Sequence, residues 1–153
     1  MKSLLRLLNP AIALIATLAA SSLFVGCTTP PEVGGLDANL SHIKSAGSEN
    51  ITATILYVND STRPIAIQAA EHEVYFAGQL VGHALMKTPL GLPPLSTVER
   101  TVLVTPTNVL GRNLINDAER TPGASWRLSS RIAVNYGGED IILQSNTNGQ
   151  LGH

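Results

Sequence analysis

Cysteine is nearly missing from this chain: among 153 residues there is one, Cys27. A lone thiol cannot close an intrachain disulfide, so stability has to come from packing even in an oxidising compartment. It also excludes a zinc site built on paired cysteines. Charge is sparse at 14% of residues, and aromatics are fewer still at 4%. Two of the ten bases, Lys2 and Arg6, stand at the start, whereas all 11 acids lie from Glu32 onward. The chain beyond its start is therefore net negative. It has no basic cluster to neutralise phosphates, which argues against nucleic acid as a partner. Long apolar runs are absent after Val25, so nothing later reads as a membrane span. There is no tandem repeat and no low-complexity tract.

What is present begins with a leader. Lys2 and Arg6 form a positive start, and Ala11 to Val25 is an apolar run of about 15 residues, the length of a signal core and short of the ~20 a bilayer needs. It ends on Leu23-Phe24-Val25-Gly26-Cys27. A small residue followed by a lone cysteine at that place resembles the bacterial lipobox. That resemblance implies a diacylglycerol thioether on Cys27, removal of residues 1–26, and an acylated new amino group. Phe24 departs from the usual leucine. Two other readings are an ordinary secretory signal with an incidental cysteine and an uncleaved anchor. Position, small neighbour and cysteine count agree on the lipobox. The expected location is the cell envelope, lipid-anchored. In a Gram-negative host, Thr28 in place of Asp implies the periplasmic face of the outer membrane.

Residues 27–35 hold Pro30, Pro31, Gly34 and Gly35 and read as a tether. From Leu36 the pattern is period two. Leu36, Ala38 and Leu40 alternate with polar residues, and Ile51, Ala53, Ile55 and Tyr57 follow after a polar turn at Ser45–Asn50. Asn59-Asp60-Ser61-Thr62-Arg63-Pro64 is a turn by chemistry, since short polar side chains bond their own backbone there. Ile65 and Ile67 resume the extended pattern. His72, Val74 and Phe76 alternate with Glu71, Glu73 and Tyr75, and Ala77-Gly78-Gln79 fits a hairpin loop into a strand from Leu80 to Met86. Pro89, Gly91, Pro93 and Pro94 break any regular element.

Val98, Val102 and Val104 then alternate with Glu99 and Thr101. Arg100 falls on the apolar parity, with its stem expected inside and its head at an edge. Asn108–Arg120 is the helix candidate. Thr107 or Asn108 caps it, and Val109, Leu110, Leu114, Ile115 and Ala118 form its stripe. Trp126, Leu128, Ile132 and Val134 share one parity of the next strand. Tyr136–Asp140 is a hairpin loop, and Ile141–Ser145 pairs back. The expected organisation is one domain at 36–146 and a flexible tail at 147–153. Its fold class is all-β, an antiparallel sandwich of about seven strands with one short helix.

The order of these features resembles the WHy (water stress and hypersensitive response) domain of the group 2 late-embryogenesis-abundant proteins. That family runs an apolar strand into Asn-Pro-Asn, then an apolar pair, a Gly-centred hairpin, a Pro-containing turn and a Val-rich strand. Here these are Ile55 to Ser61, Pro64-Ile65, Phe76 to Gly82, Leu92-Pro93-Pro94 and Val98 to Val104. Trp126-Arg127-Leu128 stands where the family often has Tyr-x-Leu. Asp60 replaces the proline and Ser61 the second asparagine, which weakens the signature while keeping the turn chemistry. The resemblance implies a fibronectin-type-III-like sandwich and a stress-linked, non-enzymatic role in drying or freezing.

Candidate chemistry is thin. The histidines at 42, 72, 83 and 153 have no ligand spacing. His72 and His83 would form two ligands of a metal site if they met across the hairpin; otherwise they are exposed strand histidines. Asp37, Asp60, Asp117 and Asp140 have no nucleophile elbow beside them, and Gly137-Gly138 lacks the helix and lysine of a phosphate cradle. No catalytic residue, no metal and no cofactor is assigned. Asn59, Asp60 and Ser61 are assigned as a structural turn. The expected partners are the membrane, through the N-terminal lipid, and weakly held protein clients, with no small-molecule substrate identified. Three readings remain: a tethered protective or client-binding domain, an envelope adaptor that binds another envelope protein by a sheet edge or loops, and, last, a hydrolase with an unrecognised site.

Overall fold

The period-two runs become strands whose inward faces build one core. The computed structural model describes residues 35–46 and 50–152; the leader, Cys27 and His153 lie outside them. In order the elements are β1 (Leu36–Ala46), β2 (Asn50–Asn59), β3 (Ile65–Phe76), β4 (Gln79–Met86), β5 (Leu90–Leu92), β6 (Ser96–Pro106), α1 (Val109–Arg120), β7 (Ser125–Tyr136) and β8 (Glu139–Gln150). Every pairing is antiparallel, and the sheet runs β1-β2-β6-β4-β3-β7-β8, with β5 added to β3. Among the described residues, eight strands and one helix make an all-β sandwich formed by a single curled sheet.

The curl has a local cause. β6 follows β2 from Ser96 to Val104, but it pairs with β4 only through Val104, Thr105 and Pro106 against Ala84, His83 and Gly82. Around that short joint the sheet folds over. A Cβ on Gly82 would lie 2.7 Å from Val104 Cγ1, so only glycine lets the two strands cross so closely. The far edges then approach each other. Ser145 of β8 donates to the Asp37 carboxylate of β1 at 3.3 Å, and the Thr147 hydroxyl donates to the Ala38 carbonyl.

The β3–β4 and β7–β8 hairpins are set by turns with positive φ. Phe76 pairs with Gln79 around Ala77 (φ 49°) and Gly78 (φ 75°), and Tyr136 pairs with Glu139 around Gly137 and Gly138. Two central residues in that region match the right-handed twist of the flanking strands. The expected inward residues Ile55, Phe76, Val102, Trp126, Leu128 and Ile132 are all buried. α1 starts where Asn108 accepts a bond from the Gly111 N–H at 2.8 Å.

Several expectations need correction. The Pro- and Gly-broken stretch contains a strand after all: Leu90–Leu92 pairs with Ile65–Ile67, because the prolines flank it and do not enter it. The extended pattern at Ile65 and Ile67 and the alternation at His72–Phe76 join in one strand, with an irregularity between Ile67 and Ala69. β8 continues to Gln150 and Leu151 is buried, so the residues after Asn146 that were expected as a tail complete the ladder with β7. Gly149 permits this, since a Cβ there would lie 2.7 Å from the Trp126 ring. The stripe of α1 is turned from the expected one. It buries Gly111, Ile115 and Ala118, and leaves Val109 and Leu110 exposed beyond the cap. Arg100 is exposed, although it sits directly opposite buried Ile55.

Candidate functional site

Three groupings of polar side chains stand out. The first is the turn after β2. Asn59 is the last residue of the strand on its inward parity and is fully buried. Its amide nitrogen donates to the carbonyls of Arg63 at 2.9 Å and Pro93 at 2.8 Å, with a longer contact of 3.4 Å to Leu92. Its Oδ1 accepts from the Ser61 N–H at 3.0 Å and the Ser61 hydroxyl at 2.7 Å. One side chain thus ties the β2–β3 turn to the loop after β5. Asp60 is exposed, and its N–H donates to the Gly35 carbonyl at 2.7 Å.

The second grouping lies inside the core. His72 is 1% exposed. Its Nε2 meets the Tyr57 hydroxyl at 2.7 Å and its Nδ1 meets the Ser130 hydroxyl at 2.8 Å. Tyr57 reaches it from β2 across the core, and Ser130 stands opposite it on β7. Burial lowers the His72 pKa to about 4 and pushes the Tyr57 hydroxyl well above its ordinary value. At neutral pH the imidazole is uncharged, as a group cut off from water must be. His72 is therefore not an exposed strand histidine, and it does not meet His83. In the hairpin His72 pairs with Ala84 and His83 pairs with Glu73, so the two rings take opposite faces of the sheet. Parity carried the missed signal: His72 shares its face with Val74 and Phe76, and Ser130 shares its face with Leu128 and Ile132.

The third is the outer face above that core. A groove of about 670 Å3 runs over β6, β4, β3 and β7, walled by Glu71, Glu73, His83, Lys87, Leu103 and Arg131. Three aliphatic side chains stand free along this face: Leu103 is 66% exposed, Leu85 46% and Ile142 55%. Ala69 and Ala133 make a shallow floor between Leu85 and Ile142. Beside the groove the Arg127 guanidinium lies 3.9 Å from the centre of the Tyr75 ring, and the Tyr75 hydroxyl donates to Glu73 at 2.8 Å. That bond to Glu73 raises the Tyr75 pKa. Such a face offers donors, acceptors and apolar area side by side, which suits weak and varied contacts.

Cys27, the lipidation residue expected from sequence, lies outside the described residues. Among the described residues no helix is long and apolar enough to cross a membrane.

No protein-family model matches the sequence, and no curated protein matches it. Among solved structures, the chain is similar to a protein from Archaeoglobus fulgidus, at 13% identity and a TM-score of 0.48, covering 78% of this chain and 98% of that one. It is similar to an Arabidopsis thaliana protein solved in solution, at 16% identity and a TM-score of 0.48, covering 78% and 82%. It is also similar to a solution structure assigned to the late embryogenesis abundant (LEA) proteins, at 15% identity and a TM-score of 0.45, covering 93% and 84%.

Proposed function

We propose that this chain is a non-enzymatic, lipid-tethered protein of the cell envelope that shields other proteins during drying or freezing through weak surface contacts. The observation that carries the reading is the outer face, where exposed Leu85 and Leu103 stand among charges of both signs in an open groove and exposed Ile142 stands beside it. Isolated aliphatic side chains set among charges favour many brief contacts over one tight complex. The strongly shifted groups Tyr57 and His72 are bonded together inside the core, which supports a structural use for them. The sequence resemblance to the WHy domain supplies the stress-linked expectation. A lipid on Cys27 would hold the domain at high local concentration near its clients without tight binding. Asn59, Asp60 and Ser61 act in this reading through the turn they build.

The test is residual activity of a freeze-labile dehydrogenase after freeze–thaw cycles, with this domain freed of its leader and Cys27, against an equal mass of an inert globular protein that gives no protection of its own. Greater retention with the domain is expected. Equal retention would remove the protective reading and favour the envelope adaptor. Mass spectrometry of the mature N-terminus is expected to find a lipid-modified Cys27; a free thiol there would remove the tether.

A further inference from the structure

The free edge of β6 is the feature that the fold leaves open. Over Ser96–Leu103 this strand has β2 on one side, in unbroken register, and among the described residues no strand on the other. In an antiparallel ladder alternate residues turn both N–H and C=O to the same neighbour. The Thr107 N–H donates to the Val81 carbonyl at 3.0 Å, in the register that pairs Thr105 with His83. Odd-numbered residues therefore turn toward β4, and even-numbered ones toward β2. Along the open stretch Thr97, Glu99, Thr101 and Leu103 direct their N–H and C=O groups outward. All four are exposed.

We infer that this edge takes up an extended segment of a non-native client polypeptide as an added antiparallel strand. The inference rests on the protective reading above and gives it a site. Three features support that occupant. A row of unpaired main-chain donors and acceptors is complementary to another main chain and is indifferent to its side chains. The row runs into the groove at Leu103 and Leu85, where an apolar side chain of the incoming strand would be covered. Finally, the edge selects against a second copy of itself. A two-fold pairing of β6 with β6 must be centred on a residue. The two registers with the greatest overlap set Glu99 against Glu99 or Arg100 against Arg100, and like charges directly opposite are destabilising. A client segment carries no such constraint.

Another open edge, the first half of β8, is shorter and begins on the acids Glu139 and Asp140. Its second half is held against β1 by Ser145 and Thr147.

The test is amide hydrogen exchange on the full chain as isolated, with and without reduced, carboxymethylated α-lactalbumin, a permanently unfolded probe. Exchange at Thr97, Glu99, Thr101 and Leu103 is expected to slow when the probe is added. Glu99→Pro removes one outward N–H and no bond to β2, and proline is tolerated at such edge positions. It is expected to weaken probe binding about fivefold, the worth of one net hydrogen bond, while Glu99→Ala, which keeps the N–H, stays within about twofold. If Glu99→Pro fails to fold, the exchange measurement on the unaltered chain decides alone. Unchanged exchange at these amides while freeze–thaw protection persists would overturn the edge and leave the protective reading standing. Slowed exchange with no protection would support the edge and remove that reading. Slowing without probe that grows with protein concentration would assign the edge to a second copy and overturn the inference.

Discussion

β2 and β6 lie side by side, and both alternate apolar with polar residues, yet only one of them is buried along its whole inward face. In β2 the inward residues Ile51, Ala53, Ile55, Tyr57 and Asn59 are all shielded from water. In β6 Val102 and Val104 are buried, Val98 is half-buried and Arg100 is exposed. The difference follows the neighbours. β2 has β1 and β6 on its two sides, whereas β6 has β4 only over its last residues. Alternation in a sequence therefore reports an extended strand, and burial depends on the flanking strand and the opposite layer.

The most disruptive way to probe this contrast is Ile55→Ala. It should lower the unfolding free energy by about 3–4 kcal/mol, the usual cost of emptying a fully buried aliphatic site; urea unfolding would read it, and a loss below about 1 kcal/mol would mean that the β2 face is not the core. Next comes the polar link from Tyr57 on that face to His72. His72 has a pKa near 4 in the folded chain and about 6.5 unfolded. The unfolded chain takes up the proton first as pH falls. This contribution is whole above pH 6.5 and is lost progressively toward pH 4, by about 3 kcal/mol. Unfolding measured across that window should show the loss, and His72→Asn, less stable at pH 7, should lack this part of the pH dependence. A wild-type stability flat between pH 6.5 and 4 would contradict it.

Asn59→Ala should cost about 2 kcal/mol, since buried carbonyls of the two loops lose their donor. Asp60→Asn, exposed on the same turn, should stay within about 0.5 kcal/mol. Comparable losses in thermal unfolding would show that the turn does not depend on the amide of Asn59. The smallest effect belongs to β6. Arg100→Ala, directly opposite Ile55, should change stability by no more than about 0.5 kcal/mol, and a larger loss would mean that β6 is covered in solution.

Much of the fold was legible because strand parity and turn chemistry agreed. Both two-residue hairpins, the Asn108 cap and the inward residues of β2 and β7 follow from local pattern. The departures share a cause in tertiary contact. Leu90–Leu92 is too short to announce a strand and exists through its pairing with Ile65–Ile67. Asn146–Gln150 is polar and becomes strand because β7 offers a ladder as long as itself. The α1 stripe could be read from spacing, but the face it buries is fixed by β4: a Cβ on Gly111 would lie 2.5 Å from the Val81 carbonyl. Of the polar groupings, the turn at Asn59 was visible as a motif. The His72–Ser130 pairing was visible only as two inward parities. The outer groove was not legible at all, because it is made by side chains from β3, β4, β6 and β7, which come together only in the folded sheet.

The contacts between β1 and β8 close the longest loops described above. They join residues 108 and 109 positions apart, and closing loops of that length gives topologies of this kind slow folding rates. Until Ser145 and Thr147 are in place, the part of β1 around Asp37 and Ala38 lacks the cover that they provide. The sandwich is thus closed by its two most distant strands, and β8 shields β1.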